Sequence, residues 1–174
     1  MDKPKKLLFA AVDVGYRIEL YTKFIKDNLA GRLSAESLVI FMVPEQHYKT
    51  RYDYEYNFFG KIFFYRWTQA LINFLRCLFR YDIFHFISGE TLLTRKLMRW
   101  ELMIYKWMGK RVIMHFVGAD IRSPEYIRWK EKNVFQYLQG KDDFPKSEDW
   151  QRKLIKNAFQ FSDYILVSTP DFLS

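Results

Sequence analysis

The residues best suited to chemistry follow a short apolar run in the second half of the chain. Gly118, Asp120 and Arg122 come directly after residues 111–117, which are predicted to form a strand buried on both faces of a parallel sheet. A carboxylate can accept a hydrogen bond from a substrate hydroxyl, and a guanidinium can bind an anionic group. Because ligands of such sheets gather beyond the carboxyl ends of the strands, we expect Asp120 and Arg122 to bind a substrate. The alternative is that the two side chains pair with each other or cap the next helix.

The three histidines are His47, His85 and His115. Their spacing matches no metal-binding motif, so the sequence does not favour a metal site. His85 and His115 lie in neighbouring predicted strands and could point toward one end of the sheet. His115 could act there as a catalytic base or an oxyanion donor, or it could be a histidine with a purely structural hydrogen bond.

Phosphate-binding motifs are limited to a single glycine, Gly15, after the first predicted strand. The amide of a glycine in such a turn can approach a phosphate, although most such glycines only permit a tight turn. The chain contains neither a Walker loop nor a Gly-x-Gly-x-x-Gly fingerprint. A dinucleotide-binding function is therefore not favoured.

Strand and helix patterns alternate along the chain, as in repeated βαβ units. Strands are predicted at residues 7–12, 38–43, 83–87, 111–117 and 164–168, and helices at residues 16–29, 61–81, 92–108 and 147–161, with a further helix starting at Ser123. The polar, tyrosine-rich residues 45–56 are predicted to be a long loop. This pattern predicts one α/β domain over residues 1–174, a Rossmann-like parallel sheet of about five or more strands with helices on both faces.

The helix predicted at residues 61–81 carries a single narrow polar stripe on an otherwise apolar cylinder. The stripe consists of Arg66, Gln69, Asn73, Arg76 and Arg80. We expect a core helix whose polar stripe faces solvent, and the alternative is a helix that lies at a membrane interface.

Composition favours a protein with a packed core and an anionic partner. The chain has 174 residues, of which 49% are hydrophobic and 20% aromatic, and its formal net charge is +8. Such a charge attracts phosphates or anionic lipid headgroups, although it can also be a solvated surface. Nucleic acid is not favoured, because no known binding module is present. A single cysteine, no signal peptide and no apolar run long enough to span a membrane indicate a cytoplasmic protein, with membrane contact at most peripheral.

Three segments together resemble the amino-terminal, acceptor-side domain of GT-B glycosyltransferases of the family 4 type. They are Asp-Ile-Phe-His-Phe-Ile-Ser-Gly at residues 82–89, Gly-Lys-Arg-Val-Ile-Met-His-Phe-Val-Gly-Ala-Asp-Ile-Arg at residues 109–122, and Ser-Asp-Tyr-Ile-Leu-Val-Ser-Thr-Pro-Asp at residues 162–171. The resemblance implies transfer of a sugar from a nucleotide-sugar donor to a glycan or lipid-linked acceptor, as in the synthesis of cell-envelope polysaccharides. It also implies a peripheral position on the inner face of the membrane. It also implies a donor-binding domain, which is absent from this sequence, so we expect the chain to be inactive without that half or a separate donor-binding chain.

The resemblance implies that the loops after the first, second and fourth predicted strands hold the acceptor or its phosphate. The residues so implicated are Gly15, Arg17, Glu45, His47, Gly118 and Arg122, with Asp120 and His115 as catalytic residues. No metal and no cofactor in this chain are implied. The family commonly has a histidine where this chain has Val117, and His115 lies about 6.6 Å deeper along the strand, which separates it from that role. The alternative function is a non-catalytic α/β binding or scaffold module that docks on an anionic membrane or a partner protein.

Overall fold

The computed structural model describes residues 3–13, 17–41, 52–57, 61–93, 96–117 and 148–168. The described strands are β1 (Lys5–Ala11), β2 (Leu33–Phe41), β3 (Tyr54–Asn57), β4 (Ile83–Ile87), β5 (Arg111–Phe116) and β6 (Tyr164–Val167). The described helices are α1 (Arg17–Asn28), α2 (Phe63–Arg80), α3 (Met98–Trp107) and α4 (Glu148–Phe161).

The six described strands form one sheet in the order β3-β2-β1-β4-β5-β6, and every neighbouring pair is parallel. This is the doubly wound order of Rossmann-like folds, in which the chain winds outward in both directions from β1 and β4. The predicted fold class is confirmed. The strand order reverses between β1 and β4, so the crevice that such folds use for ligands lies at the carboxyl ends of these two strands.

Helices cover both faces of the sheet, because the strands are apolar on both sides. Leu8 and Ala10 of β1 belong to a core that includes buried residues of α2, α3 and α4. Leu7 and Phe9, which alternate with them, pack in a second core with Ile18 of α1. Successive side chains of a strand point to opposite faces, so α1 lies on one face and the other three described helices on the other.

The tyrosine-rich segment contains a strand where the sequence predicts only loop. Residues Tyr54–Asn57 form β3, a short parallel edge strand beside β2. The guanidinium groups of Arg76 and Arg80 lie 5.6 and 5.4 Å from the centre of the Tyr54 ring. The strand is therefore fixed by contacts with α2, which a local sequence pattern does not reveal. As a result, the fourth predicted strand is β5.

The two largest of the remaining differences from the predicted boundaries have physical reasons. Strand β2 begins at Leu33 rather than residue 38, because it pairs with β1 from Lys5 onward. Helix α3 begins at Met98 rather than residue 92, because Glu101 holds Leu92 and Leu93 in a non-helical path. The carboxylate of Glu101 is fully buried and accepts hydrogen bonds from the N–H groups of Leu92 and Leu93 at 3.0 and 2.8 Å.

The expectation of a core helix at residues 61–81 is wrong in its orientation. Part of the stripe that was expected to face solvent contacts the protein instead: Asn73 is buried, and Arg80 forms an ion pair with Glu36 of β2 at 2.7 Å, while Arg76 stays exposed. The large apolar side chains on the other side of α2 are exposed instead, as at Phe64 and Phe79. Arginine pairing with a carboxylate of the sheet therefore decides which side of this helix faces inward.

Candidate functional site

A row of three polar side chains crosses the sheet diagonally toward its carboxyl edge. Nε2 of His85 lies 3.4 Å from Nδ1 of His115, and Nε2 of His115 lies 2.6 Å from Oγ of Ser168. His85 is in β4, His115 is in β5, and Ser168 follows β6 directly. His85 pairs with Ile113, and His115 lies two residues beyond Ile113 in β5. His115 pairs with Leu166, and Ser168 lies two residues beyond Leu166. The row therefore moves toward the carboxyl edge by two residues at each step. We call this set the histidine row.

The histidine row lies under helix α1 and contacts aromatic rings. The ring of Tyr21 stacks on both imidazoles, with centroid distances of 6.2 Å to His85 and 5.9 Å to His115. Phe9 contacts His85 at 4.9 Å. Burial, with a smaller contribution from His115, lowers the pKa of His85 to about 4. His85 is therefore neutral at physiological pH, while the exposed hydroxyl of Ser168 brings the row to the surface.

Asp13, which follows β1, contacts the first turn of α1 and the segment before β3. Its Oδ1 accepts a hydrogen bond from the N–H of Ile18 at 3.1 Å, and its Oδ2 accepts one from the hydroxyl of Tyr52 at 2.8 Å. The first contact satisfies a free amide in the first turn of α1, and the second ties that turn to the segment before β3. Asp13 therefore holds the entrance to α1 in place at the carboxyl end of β1.

The end of β4 has an unusual backbone and an unpaired hydroxyl. Ser88 has φ = +60°, a conformation that residues other than glycine seldom adopt, and Gly89 follows with φ = +67°. The Oγ atom of Ser88 is buried and has no hydrogen-bond partner among the described residues. A Cβ on Gly89 would lie 2.8 Å from a methyl carbon of Leu154 in α4, so only glycine fits there without movement. Both backbone strain and unpaired buried polar atoms are concentrated at functional sites.

Most of the residues proposed from the sequence lie outside the described residues. They are Gly15, Glu45, His47, Gly118, Asp120 and Arg122. Arg17 is the first residue of α1. His115 is described as the buried centre of the histidine row, in contact with His85, as the neighbouring strands suggested. That these residues bind a substrate stays a prediction.

Sequence reasoning missed four polar residues of this edge: Tyr21, Tyr52, Ser88 and Ser168. Three of them could not be found by pattern, since Tyr21 and Tyr52 act through contacts across the fold and Ser88 through its backbone conformation. Ser168 had a signal. Once β5 and β6 are taken as parallel neighbours, the residue just after β6 falls diagonally ahead of His115.

The described part of the chain was searched for metal-binding clusters and for membrane-spanning helices. Within it, no group of three or more histidine, cysteine, aspartate or glutamate residues is arranged to hold a metal ion. None of the helices described there is long and apolar enough to cross a membrane.

Comparisons with known proteins give no functional relative. No protein-family model matches the sequence, and no curated protein matches it. Among solved structures, this chain is similar to a conserved protein from Enterococcus faecalis V583, known from a crystal structure. The two are 10% identical with a TM-score of 0.41, and the match covers 98% of this chain and 96% of that one. A similarity of this degree carries no argument about function.

Proposed function

We propose that this chain is the acceptor-side domain of a GT-B glycosyltransferase, which binds a glycan or lipid-linked acceptor and needs a donor-binding half for sugar transfer. The observation that supports this most is the collection of polar groups at the carboxyl edge around the β1–β4 switch point. Asp13 follows β1, Ser88 follows β4, and the histidine row runs to the same edge from β4 through β5. Folds of this type bind their ligands there.

The chemistry of this edge suits a sugar better than a nucleotide. The hydroxyl of Ser168, at the exposed end of the histidine row, can exchange hydrogen bonds with the hydroxyls of a sugar ring. A nucleotide in a Rossmann-like fold places its pyrophosphate on a glycine-rich turn after β1, and the sequence there is Asp-Val-Gly-Tyr-Arg at residues 13–17. The single glycine of that turn supports the assignment of the nucleotide sugar to another domain or chain.

Saturation-transfer NMR with this chain tests the proposal. The probes are methyl glycosides of glucose, galactose, mannose and N-acetylglucosamine, with UDP-glucose and GDP-mannose as donors. At least one methyl glycoside should receive saturation, while the base and ribose protons of both nucleotide sugars should receive none. Replacement Ser168→Ala should weaken the glycoside signal, and Leu20→Ala on the exposed side of α1 should not. Strong saturation of the nucleotide protons would contradict the acceptor-side assignment.

The alternative is a non-catalytic α/β binding or scaffold module. It is favoured by the exposed apolar side of α2, which no described segment covers. Absence of saturation for all four glycosides, combined with docking of that helix on a target, would favour this module over the transferase.

A further inference from the structure

The outward side of α2 is a continuous apolar strip. Five large side chains, Leu71, Phe64, Leu75, Phe79 and Ile72, follow each other around an arc of about 100° at the usual 100° per residue. All five are exposed, up to 75% at Phe64 and 72% at Phe79. Scattered exposed apolar residues are ordinary, but a contiguous strip of this kind marks a surface that binds something.

The inward side of α2 is packed into the core, which fixes the direction in which the strip points. Phe74, Cys77 and Leu78 are buried in the core, and Phe74 packs against Tyr105 of α3 at 5.6 Å between ring centroids. The ion pair between Arg80 and Glu36 fixes the rotation of the helix about its axis. Rotating the strip inward would break this pair and expose the buried side.

Exposed apolar residues continue onto the other two helices of the same layer. Trp100 and Trp107 of α3 are exposed, Trp107 at 84%, and so is Phe159 of α4. Since α2, α3 and α4 contribute to one core on one face of the sheet, their outer surfaces form a single layer, which we call the three-helix face. Tryptophan and phenylalanine are the residues that insert at the boundary between lipid headgroups and acyl chains.

Charge identifies the occupant of this face. Its exposed basic side chains are Lys61 just before α2, Arg76, Arg99, Lys106, Arg152, Lys153 and Lys156. By sequence, α2 carries no acidic residue, α3 carries only Glu101, which is fully buried, and α4 carries Glu148 and Asp149 against Arg152, Lys153 and Lys156. An apolar strip with a basic border matches an anionic bilayer surface. A second copy of the same face does not match it, because symmetric pairing would bring these cations together.

We infer that the three-helix face docks on an anionic lipid bilayer, with the strip of α2 inserted among the headgroups and the basic residues against lipid phosphates. In this arrangement the side of α2 that faces away from the bilayer packs on the protein core, whereas the corresponding side of an isolated interfacial helix faces water. The helix lies in the plane of the interface and does not cross the bilayer. This docking is independent of the acceptor site, because it involves the outer surface of the helices and not the carboxyl edge of the sheet.

Vesicle co-sedimentation without any sugar present tests this inference. Vesicles of phosphatidylcholine with 30% phosphatidylglycerol should pellet the chain with an affinity about tenfold or more above that for pure phosphatidylcholine vesicles. Raising the salt should weaken the binding, because the phosphate contacts are exposed to solvent. Absence of binding to the anionic vesicles at low salt would overturn the inference.

A pair of matched double variants locates the docking surface. Phe64→Glu with Phe79→Glu should lower the affinity for anionic vesicles about tenfold or more, since it places two carboxylates in the strip. Leu20→Glu with Phe24→Glu on α1 is the control, because these residues are similarly exposed, at 63% and 58%, but on the opposite face of the sheet. Equal losses in both variants would overturn the inference.

Light scattering tests whether a second copy of the chain, rather than a bilayer, covers the three-helix face. We call Phe64→Glu with Phe79→Glu the strip variant. If the chain is dimeric in solution, the strip variant is monomeric, and neither binds vesicles, then a second copy covers the face and the inference is wrong. The strip variant should retain its melting temperature, because both replaced side chains are exposed. Saturation of a methyl glycoside by the strip variant would show that the acceptor site is intact, so failure of docking is distinguishable from failure of the proposed function.

Discussion

At the scale of single residues, this protein keeps polar groups inside an apolar sheet by pairing them. His85 and His115 share a hydrogen bond under Tyr21, and Glu101 is surrounded by donors at its buried position. The cost of each buried group is offset only while its partners stay in place. Ser88, whose buried hydroxyl has no partner among the described residues, is one exception at the carboxyl edge.

Acid sensitivity of folding should depend on His85. Its pKa is lowered from 6.5 to about 4 by burial and by His115, so the unfolded chain gains a proton before the folded one does. Stability is therefore lost as the pH falls from 6.5 toward 4, by about 2 kcal/mol between pH 7.5 and pH 5. Urea denaturation of His85→Phe at these two pH values should show that loss removed. A variant with the full wild-type loss would contradict this explanation.

The carboxylates act in a lower pH range and can be separated from His85. Burial alone would raise the pKa of Glu36, but hydrogen bonds from Tyr81 and Arg80 outweigh it and hold the pKa below its ordinary value. The pKa of Asp53 is lowered in the same way, by Lys26 and Ser37 against burial. Their stabilisation is complete above pH 4.5 and is lost as the pH falls through the lowered values, so measurement at pH 5 reports mainly on His85.

At the scale of elements, helix α2 shows where a sequence pattern stops being decisive. Its periodicity predicts the helix, and the polar stripe is real, but the side that faces the sheet is fixed by Glu36 of β2 and Tyr54 of β3. Both partners are distant in sequence. The same holds for β3 and for the start of α3, which depend on contacts with α2 and Glu101. Strands β4 and β5 were predictable because an unbroken apolar run has few alternatives.

Cysteine reactivity should report the orientation of α2. Cys77 is on the inward side, and burial raises the pKa of its thiol to about 12, so the native protein should resist iodoacetamide at pH 8 and react in urea. The variant Cys77→Ala with Phe79→Cys moves the thiol to the outward strip and should react at about the rate of a free thiol. Rapid alkylation of Cys77 in the native protein would mean that the helix has the opposite orientation.

At the scale of the whole molecule, the two surfaces proposed for binding are separate. The acceptor site is at the carboxyl edge of the sheet, and the three-helix face covers one broad side of it. The fold class and the position of this edge could be predicted from alternating strand and helix patterns. The partners within the site could not, because the histidine row requires the registers of β4, β5 and β6. The exposure of apolar side chains on the three-helix face could not be predicted either, because periodicity alone does not show which side of a helix faces the sheet.

The central claim is that a sugar binds at the carboxyl edge, where the histidine row ends. The most direct measurement follows the imidazole nitrogen signals of His85 and His115 by NMR during titration with the methyl glycosides, with UDP-glucose titrated separately. We predict that a glycoside shifts the His115 signals through Ser168 and that UDP-glucose leaves them unchanged. Signals that respond to no glycoside, or that respond only to UDP-glucose, would contradict the account.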